Sequence, residues 1–406
     1  MLIFLNRFKM TKVGFLLNFP LEYKGGINYF KNLFYAVHKF CSDKVEIILF
    51  VPKGISKEYI EMFSPYATVV ETTILKRKSF PWLLSKIGSR VFGYDIITYN
   101  LLSKYKIDVV SHSDFVFPSK KLKTLNWIPD FQYIHFPDLW TEAQLKATVN
   151  SHKILIEKSN AIVLSSYAAF EDFKINNLEN QEKVSVLNFV SQPNNDIQFS
   201  ITDTEIKEIK DLYNIEGHFF YMPNQFWSHK NHLTVFEAIK LLKKKGLNPL
   251  VVTSGLMSDY RNGSNHVEKL LKYVEDNDLQ NNILFLGLIP YHHVGKLILM
   301  CNCVINPSYF EGWSSTVEEA KTVGKKIILS NIPVHLEQSP KFGVYFNPDS
   351  PNELALKMEE IDQNSISCPE DVEELKRSLD NRTKNFAYTY LKILNDLKMS
   401  NLNSKR

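Results

Sequence analysis

Residues 302–340 read NCVINPSYFEGWSSTVEEAKTVGKKIILSNIPVHLEQSP, and this stretch decides the fold class. The short apolar run Cys303–Asn306 predicts a buried parallel strand. After a loop, Thr316–Val323 alternates small, acidic and apolar residues as a helix does, and Gly324 suits the left-handed residue that ends a helix. Lys326–Leu329 predicts the next strand. The stretch therefore predicts a strand–loop–helix–strand unit, from which parallel α/β sheets are built.

Two acidic residues, Glu311 and Glu319, are separated by seven residues, one before the predicted helix and one on its first turns. Gly312, Ser314 and Ser315 lie between them. Free backbone N–H groups and the helix dipole at such a helix start favour a pyrophosphate, whereas carboxylates beside it are good acceptors for sugar and ribose hydroxyls. The pattern predicts a nucleotide-sugar pocket. The alternative is that Ser314 or Ser315 only caps the helix while Glu318 and Glu319 complement its dipole.

The string SYFEGWSSTVEEA, followed by GKKIILSNIPVHLE, resembles the E-x7-E signature of the family 4 retaining glycosyltransferases, which have the GT-B fold. The resemblance implies that Glu311 contacts the donor sugar and that Glu319 binds the nucleotide ribose. It also implies a pyrophosphate loop formed by Gly312, Trp313, Ser314, Ser315 and Thr316.

The composition is that of a globular protein of about two domains. The 406 residues are 44% hydrophobic and 23% charged, which suits two domains that each bury a core. The net charge of +4 implies no polyanionic partner such as nucleic acid. The four cysteines show no pairing pattern, so we expect core thiols in a reducing cytoplasm.

The sequence gives no sign of a membrane span or a signal peptide. No run approaches the roughly 18 apolar residues of a spanning helix, and the start, MLIFLNRFKM, has too short an apolar core for a signal peptide. Met10 precedes the first convincing strand. Residues 1–9 are therefore expected to be an upstream extension, with Met10 as an alternative start.

The first half begins with a predicted strand at Lys12–Asn18, a loop containing Gly25 and Gly26, and a helix from about Tyr29 to Phe40. A Rossmann-like domain opens in this order. A pair of glycines is by itself weak evidence, because tight turns use it routinely. The resemblance implies that Gly25 and Gly26 approach the donor phosphates and the reacting centre.

The segment 127–137, WIPDFQYIHFP, resembles a part of the family that faces the cleft after the fourth strand. Many relatives have a His-Asp pair there. Asp130 matches the Asp, but Pro129 stands where the His is expected, and His135 is the remaining histidine nearby. The donor sugar is therefore expected to contact Asp130 or His135. The alternative for His135 is an ordinary loop histidine.

The segment Lys76–Arg90, KRKSFPWLLSKIGSR, combines cations with bulky apolar residues. This combination suits a helix that lies on an anionic bilayer, and the family's acceptors are often lipid-linked. The alternative is a surface helix whose apolar side faces the core.

The second half begins with the predicted strand Phe219–Met222 and the exit loop PNQFWSHKNH. Lys230 in this loop is well placed to neutralise a leaving diphosphate; the alternative is a solvated loop lysine. The family has an Arg…Lys pair here, and Lys230 matches the Lys. The Arg position falls near Gln225, so charge stabilisation is expected to depend more on Lys230 and on helix N-termini.

Two later features bear on the nucleobase and on metals. Gly287 and Leu288 follow a predicted strand and resemble the turn that holds the nucleobase by backbone contacts. Asp276-Asn277-Asp278 is formally a D-x-D metal motif, but it lies at the end of a polar helix, which predicts a helix end and a surface turn. We therefore expect no metal and no cofactor.

These observations predict an α/β protein with the GT-B fold, in which two Rossmann-like domains face each other across a cleft. Residues 1–200 are expected to form an acceptor-binding domain, to which a helix at about 385–406 crosses back. Residues 201–384 are expected to bind the nucleotide-sugar. The predicted reaction is metal-independent transfer of a hexose, with retention, from GDP-mannose or a UDP-hexose to a hydroxyl acceptor.

The acceptor is expected to be a lipid-linked glycan in bacterial surface polysaccharide synthesis. We expect a cytoplasmic enzyme that contacts the inner membrane peripherally through Lys76–Arg90. The expected catalytic residues are Glu311, Lys230, Asp130 and His135. Two alternatives remain: a non-catalytic GT-B subunit that stabilises an active partner, and a GT-B nucleotide-sugar epimerase. A dinucleotide-dependent dehydrogenase is least favoured, because no G-x-G-x-x-G follows a strand.

Overall fold

The computed structural model describes residues 10–18, 24–192, 199–259, 265–363 and 371–403. The expected upstream extension at residues 1–9 lies outside the described residues, as do residues 193–198 and Cys368. The chain divides into two compact units. Unit 1 consists of Met1–Phe131, Glu142–Val190 and Asn381–Arg406, and unit 2 consists of Gln132–Thr141 and Ser191–Asp380.

Unit 1 is built on a seven-stranded parallel sheet with the order β3-β2-β1-β4-β5-β6-β7. Its strands are apolar along most of their length, as expected when helices cover both faces of a sheet. They are β1 (Thr11–Leu16), β2 (Val45–Pro52), β3 (Thr68–Thr72), β4 (Val109–Ser111), β5 (Lys123–Ile128), β6 (Ala161–Leu164) and β7 (Val184–Val186).

Unit 2 is built on a six-stranded parallel sheet with the order β10-β9-β8-β11-β12-β13. Its strands are β8 (Phe220–Met222), β9 (Val251–Thr253), β10 (Ile283–Phe285), β11 (Cys303–Asn306), β12 (Ile327–Ser330) and β13 (Gly343–Phe346). Counted within the unit, the order is 3-2-1-4-5-6, the doubly wound arrangement of dinucleotide-binding folds. Residues of β8 alternate between two apolar clusters, with Phe220 in one and Tyr221 in the other. The sheet is therefore buried on both faces.

The helices follow the strands in the alternating order of a βα fold. In chain order they are α1 (Lys24–Cys41), α2 (Lys57–Phe63), α3 (Phe80–Phe92), α4 (Ile96–Lys104), α5 (Gln132–His135), α6 (Glu142–Lys158), α7 (Tyr167–Asn177), α8 (Asp203–Tyr213), α9 (His232–Lys244), α10 (Asn265–Asp276), α11 (Tyr291–Met300), α12 (Ser315–Thr322), α13 (Pro333–Gln338), α14 (Pro351–Gln363) and α15 (Val372–Asn403). Short 3-10 helices occupy Pro137–Leu139, Leu178–Lys183 and Ser228–Lys230.

The position of Gly25 and Gly26 differs from the prediction. They were expected in a loop, but they lie in the first turn of α1, which begins at Lys24. The helix starts early because its buried face already includes Ile27, three residues before the buried Phe30. First-turn N–H groups have no intrahelical partner, so a phosphate-binding role for the two glycines stays a prediction.

In the C-terminal region, α15 is continuous from Val372 to Asn403. Its part from Asn381 onwards belongs to unit 1. There the Tyr390 hydroxyl donates to Ser111 Oγ at 2.9 Å, and Lys398 Nζ lies beside Thr11 Oγ1 at 2.5 Å. These contacts hold the helix against the ends of β1 and β4.

The orientation of α3 contradicts the alternative in which its apolar side faces the core. Phe80 is 72% exposed, and Leu83, Leu84, Ile87 and Val91 are exposed as well. The small residues Ser85 and Gly88 form the packed side instead, Ser85 through a hydrogen bond to Asp95. None of the helices in the described ranges combines the length and the apolar composition needed to span a bilayer.

Candidate active site at the switch point of unit 2

The strand order of unit 2 reverses direction between β8 and β11, and we call this place the switch point of unit 2. The two strands pair in parallel, with Tyr221 opposite Val304, so both loops that leave them emerge at the same edge of the sheet. Open α/β sheets bind ligands at this edge. The topology brings Lys230 from the first loop to Glu311 from the second, although 81 positions separate them.

Lys230 and Glu311 form a buried ion pair. Lys230 Nζ lies 2.7 Å from both carboxylate oxygens of Glu311, and the two side chains are 13% and 9% exposed. Burial would raise the pKa of Glu311, but the charge of Lys230 and the hydrogen bonds from Lys230 and Ser308 hold that pKa below its ordinary value. The site therefore presents an ionised carboxylate and a cation together.

Buried polar side chains connect this pair to the ends of the strands. Ser308 Oγ lies 2.7 Å from Glu311 Oε1 and 2.8 Å from Asn306 Oδ1. Asn306 Oδ1 also accepts from Asn224 Nδ2 at 3.2 Å. Asn231 donates to the carbonyl of Pro307 at 3.1 Å, which fixes the loop of Lys230 against the loop of Glu311. Such a satisfied network holds both charged groups in place.

Ser314 caps the helix that follows the Glu311 loop. Its Oγ accepts from Val317 N at 3.3 Å and from Asn306 Nδ2 at 2.8 Å. The Gln338 side chain binds both sides of Ser314, since Gln338 Oε1 accepts from Ser314 N at 3.1 Å and Nε2 donates to Ser314 O at 2.9 Å. Ser314 is therefore the N-cap of α12, and a pyrophosphate site at this helix start stays a prediction. The N–H groups of Ser315 and Thr316, at the first positions of α12, lack intrahelical acceptors.

Glu319 is buried on α12 in a different environment from Glu311. The Tyr291 hydroxyl donates to Glu319 Oε1 at 2.7 Å. Burial raises the pKa of Glu319 to about 7, and the hydrogen bond from Tyr291 partly offsets this effect. Within the described residues no lysine or arginine pairs with Glu319. Its charge therefore depends on pH in the neutral range.

The loops after β8, β9 and β10 are bonded to one another. Gly255 has φ +148°, and a β-carbon there would lie 2.4 Å from the Asn224 carbonyl oxygen, so only glycine fits this contact. Gly255 N donates to Gly287 O at 2.8 Å. Gln225 Oε1 accepts from Leu256 N at 2.8 Å. Gln225 therefore fastens two loops at the position where the resemblance expects an arginine.

The predicted nucleobase turn is tight and exposed. Gly287 has φ +65°, in the left-handed region that favours glycine, and the Leu288 side chain is 66% exposed. Three residues further on, Tyr291 begins α11 and reaches Glu319. The nucleobase turn and the start of α11 therefore lie on the same side of the candidate nucleotide site.

The two candidates for sugar contact from the first half lie in different units. Asp130 follows β5 in unit 1, whereas His135 ends α5, which belongs to unit 2. The His135 ring lies 5.4 Å from the ring of Phe310, the neighbour of Glu311. Unit 2 therefore places His135 beside the Glu311 loop. Gly25, Gly26 and Asp130 belong to unit 1.

The D-x-D motif forms a helix end, as predicted. α10 ends at Asp276, and Asp278 has φ +55° in the following turn. In the parts of the chain that the structure describes, no cluster of three or more His, Cys, Asp or Glu side chains is arranged to hold a metal ion.

Several supporting residues were not identified from the sequence. Asn306 and Ser308 lie in the quoted string INPS, Gln338 lies in IPVHLEQ, and Tyr291 follows the nucleobase turn. For Asn306, the available signal was a polar residue at the end of a predicted buried strand. The hydrogen-bond partners of these supporting residues are distant in sequence, so local patterns do not reveal them.

The comparisons with known proteins agree with this geometry. Residues 205–385 match the family model of glycosyl transferases group 1. The chain is a glycosyltransferase with the GT-B fold, and residues 205–385 are the part that is similar to the group 1 model. The predicted fold class and the predicted enzyme class are therefore confirmed.

The chain is 21% identical over 306 residues to the O-antigen chain mannosyltransferase RfbU of Salmonella typhimurium, which covers 75% of this chain and 79% of that protein. Among solved structures, a glycosyltransferase from Rickettsia africae matches with a TM-score of 0.63 at 14% identity, over 97% of this chain and 99% of the other. Anabaena Alr3699/HepE in complex with UDP-glucose matches with a TM-score of 0.59 at 14% identity, over 97% and 98%. These structural matches establish the fold.

Proposed function

We propose that this enzyme transfers a hexose from a nucleotide-sugar to a hydroxyl group of a glycan, with retention of configuration and without a metal ion. The observation that carries the proposal is the buried Lys230–Glu311 pair at the switch point of unit 2. A cation, an ionised carboxylate and a helix start within one loop system provide for an anionic leaving group and for sugar hydroxyls together.

In this reaction the bond between the anomeric carbon and the phosphate oxygen breaks, and the acceptor oxygen forms a new bond to the same face of that carbon. The departing diphosphate takes the proton of the acceptor hydroxyl. Lys230 and the first N–H groups of α12 stabilise the negative charge that develops on the diphosphate. Glu311 accepts hydrogen bonds from the sugar hydroxyls, and His135 borders the same loop.

The nucleotide is bound by Glu319 and by the turn at Gly287 and Leu288. The ionised Glu319 carboxylate accepts hydrogen bonds from the ribose hydroxyls, and the backbone of the turn contacts the base. The donor is GDP-mannose or a UDP-hexose. RfbU is named a mannosyltransferase, which supports GDP-mannose. HepE was solved with UDP-glucose, which supports a UDP-hexose.

A thermal-shift panel tests the donor site. GDP, UDP, GDP-mannose, UDP-glucose, UDP-galactose and the N-acetylhexosamine nucleotides are compared on the wild type and on Glu319→Ala. A ligand at about 100 times its dissociation constant adds about 2.7 kcal/mol of apparent stability. We expect one nucleotide to stabilise the wild type and not the variant. Stabilisation by none of them would favour a non-catalytic subunit, for which Gln225 at the arginine position is the supporting observation.

The acceptor is a lipid-linked glycan of surface polysaccharide synthesis at the cytoplasmic face of the inner membrane, and α3 contacts this bilayer. Its exposed apolar residues are spaced as one helix face: Phe80, Leu83, Leu84, Ile87 and Val91. The opposite side packs on α4, where a β-carbon at Gly88 would lie 3.6 Å from Ile96 Cγ2.

The charges around α3 select an anionic bilayer as the occupant of its apolar face. Lys76, Arg77 and Lys78 are exposed directly before the helix, and no acidic residue occurs between Glu71 and Asp95. Asp95 points inward, where it accepts from the N–H groups of Ile97 and Thr98. Apolar side chains flanked by cations bind anionic lipid surfaces by burial and by Coulomb attraction.

Vesicle flotation tests this contact. We expect the wild type to float with phosphatidylcholine vesicles that contain phosphatidylglycerol, and to float less at high salt. With vesicles of phosphatidylcholine alone it should remain at the bottom of the gradient. Phe80→Ser/Ile87→Ser should lose flotation. Ile175→Ser, at an equally solvent-facing position of α7 (61% exposed), is the matched control and should float as the wild type does. Equal flotation of the double variant would contradict the membrane role.

A further inference from the structure

Tyr291 is the direct hydrogen-bond partner of Glu319. Its hydroxyl donates to Glu319 Oε1 at 2.7 Å and accepts a hydrogen bond from the Ser191 side chain. Burial and the nearby Glu319 raise the pKa of Tyr291 well above the ordinary value. The phenol therefore keeps its proton and stays a donor.

We propose that Tyr291 is a positioning residue for the donor nucleotide, whose hydroxyl holds the Glu319 carboxylate in the orientation and charge state that accept the ribose hydroxyls. This inference rests on the proposed function, because it takes Glu319 as the ribose acceptor.

The orientation of the Glu319 carboxylate follows from a chain of hydrogen bonds that begins and ends on α12, and we call this chain and the helix segment that closes it the ring. Ser191 bonds to Tyr291 through its side chain, and its carbonyl accepts from Thr322 Oγ1 at 3.0 Å. Thr322 lies one turn after Glu319 on α12, so the ring returns to the helix that carries the carboxylate. Tyr291 is therefore held on one side by Ser191 while it holds Glu319 on the other, and the Glu319 side chain has one preferred position.

The charge state follows from the groups that face Glu319. These are Tyr291 from α11 and Tyr221 from β8, both of them un-ionised phenols, and the Tyr221 hydroxyl is bonded to Ser254 Oγ at 2.6 Å. The hydrogen bond that lowers the pKa of Glu319 is the one from Tyr291. Without it the pKa of Glu319 would be higher, so a larger share of the carboxyl would be protonated at neutral pH, and a protonated carboxyl offers one acceptor oxygen fewer to a ribose.

The position of Tyr291 also couples two parts of nucleotide recognition. It follows the nucleobase turn, Gly287 and Leu288, by three residues. A base that orders this turn also orders the start of α11 and hence the donor to Glu319. Base and ribose are therefore recognised by one connected segment.

The test measures the dissociation constants of UDP and GDP by calorimetry between pH 6 and 9.5. The proteins are the wild type, Tyr291→Phe, Ser191→Ala and Tyr213→Phe. Tyr213 is the matched control. Its hydroxyl lies 2.6 Å from Nδ1 of His293, which is on α11 as Tyr291 is, and it does not contact Glu319. The variant Glu319→Gln measures nucleotide affinity in the absence of the Glu319 charge. Titration of the nucleotide itself cancels in the ratio of variant to wild type.

We expect Tyr291→Phe to move the pH at which affinity is half-maximal upward by about one unit, because the variant lacks the hydrogen bond that lowers the pKa of Glu319. Its affinity at pH 7 then falls about fivefold, and at pH 9.5 it returns to within about twofold of the wild type. Ser191→Ala should show a smaller shift in the same direction, and Tyr213→Phe none.

Two results would overturn the inference alone: wild-type affinity of Tyr291→Phe at every pH, or a deficit of the same size at every pH, which is the behaviour of a merely structural residue. Failure of the wild type to bind UDP or GDP at any pH would overturn the proposed function and the inference with it. Binding by the wild type that Glu319→Gln leaves unchanged would show that Glu319 is not the ribose acceptor.

Discussion

The switch points of the two units have the same topology, but one contains neutral side chains and the other contains an ion pair. In unit 1, where the strand order reverses between β1 and β4, His112 lies between two hydroxyl groups, with Nε2 2.8 Å from the Tyr29 hydroxyl and Nδ1 2.8 Å from Ser111 Oγ. The Tyr29 ring stacks on Trp127 with the centroids 4.5 Å apart. In unit 2, the equivalent place between β8 and β11 holds the Lys230–Glu311 ion pair.

The difference shows how one backbone arrangement serves two purposes. Burial lowers the pKa of His112 to about 3, so this switch point contains neutral, mutually hydrogen-bonded side chains and contributes to the core. The other keeps a cation and a carboxylate in place at a cost in desolvation. Charges that are maintained where the fold could bury neutral groups indicate a binding site for a charged ligand.

The largest effect is expected when the ion pair is broken from one side. Lys230→Met leaves the Glu311 carboxylate buried without its cation, which should destabilise the protein by about 3–5 kcal/mol. The double variant Lys230→Met/Glu311→Gln removes both charges and should recover most of this loss. Urea unfolding at pH 7.5 measures both. A double variant as unstable as the single one would contradict the ion-pair account.

The second effect concerns Glu319, whose pKa of about 7 lies above the ordinary 4.5. A carboxyl that binds its proton more tightly in the folded state loses stability as pH rises from 4.5 through 7. Glu319→Gln should therefore make the ligand-free protein more stable by about 2–3 kcal/mol at pH 8.5, with little difference at pH 5. Urea unfolding across this pH range tests the sign. A variant that is less stable at pH 8.5 would show that Glu319 is stabilised as an anion.

A third effect tests the neutral switch point of unit 1. Tyr29→Phe leaves His112 Nε2 buried without a partner, which should cost about 2 kcal/mol at pH 7.5. Because the pKa of His112 is lowered, its contribution to stability is lost as pH falls from about 6.5 towards 3. Nucleotide affinity at pH 7.5 should not change. A tenfold change in UDP or GDP affinity would assign this switch point to the donor site.

The smallest effect concerns the helix start between Glu311 and Glu319. Ser314→Ala removes the cap of α12 and should cost about 1 kcal/mol of stability. The matched control is Ser315→Ala, because Ser315 is the same residue type at the next position and its side chain is exposed. Thermal unfolding of both variants measures the difference. Equal losses, or none, would contradict the assignment of Ser314 as the cap.

The strand–loop–helix–strand unit at residues 303–330 could be predicted because its signals are local: an apolar run, a polar loop, a helix pattern and Gly324. The meeting of Lys230 with Glu311 could be expected only from the resemblance, since the strand order that joins them is a property of the whole sheet. The opposite pKa shifts of Glu311 and Glu319 were not predictable, because they depend on which partner reaches each carboxylate.

One further prediction was wrong, and the orientation of α3 had been left open between two alternatives. Gly25 and Gly26 were placed in a loop because glycine pairs are common in turns, but the buried face of α1 begins directly after them. The orientation of α3 could not be read from its composition. An apolar face packs inward in most surface helices, and here the small residues Ser85 and Gly88 pack instead.

The most direct test of the central claim is the release of nucleoside diphosphate from UDP-glucose or GDP-mannose, with the wild type compared to Lys230→Met/Glu311→Gln. The double variant is the right comparison because it is expected to stay folded while it lacks both charges. The account predicts that the wild type releases the diphosphate and that the double variant is slower by at least about 100-fold. A double variant that releases it at the wild-type rate would contradict the assignment of this site.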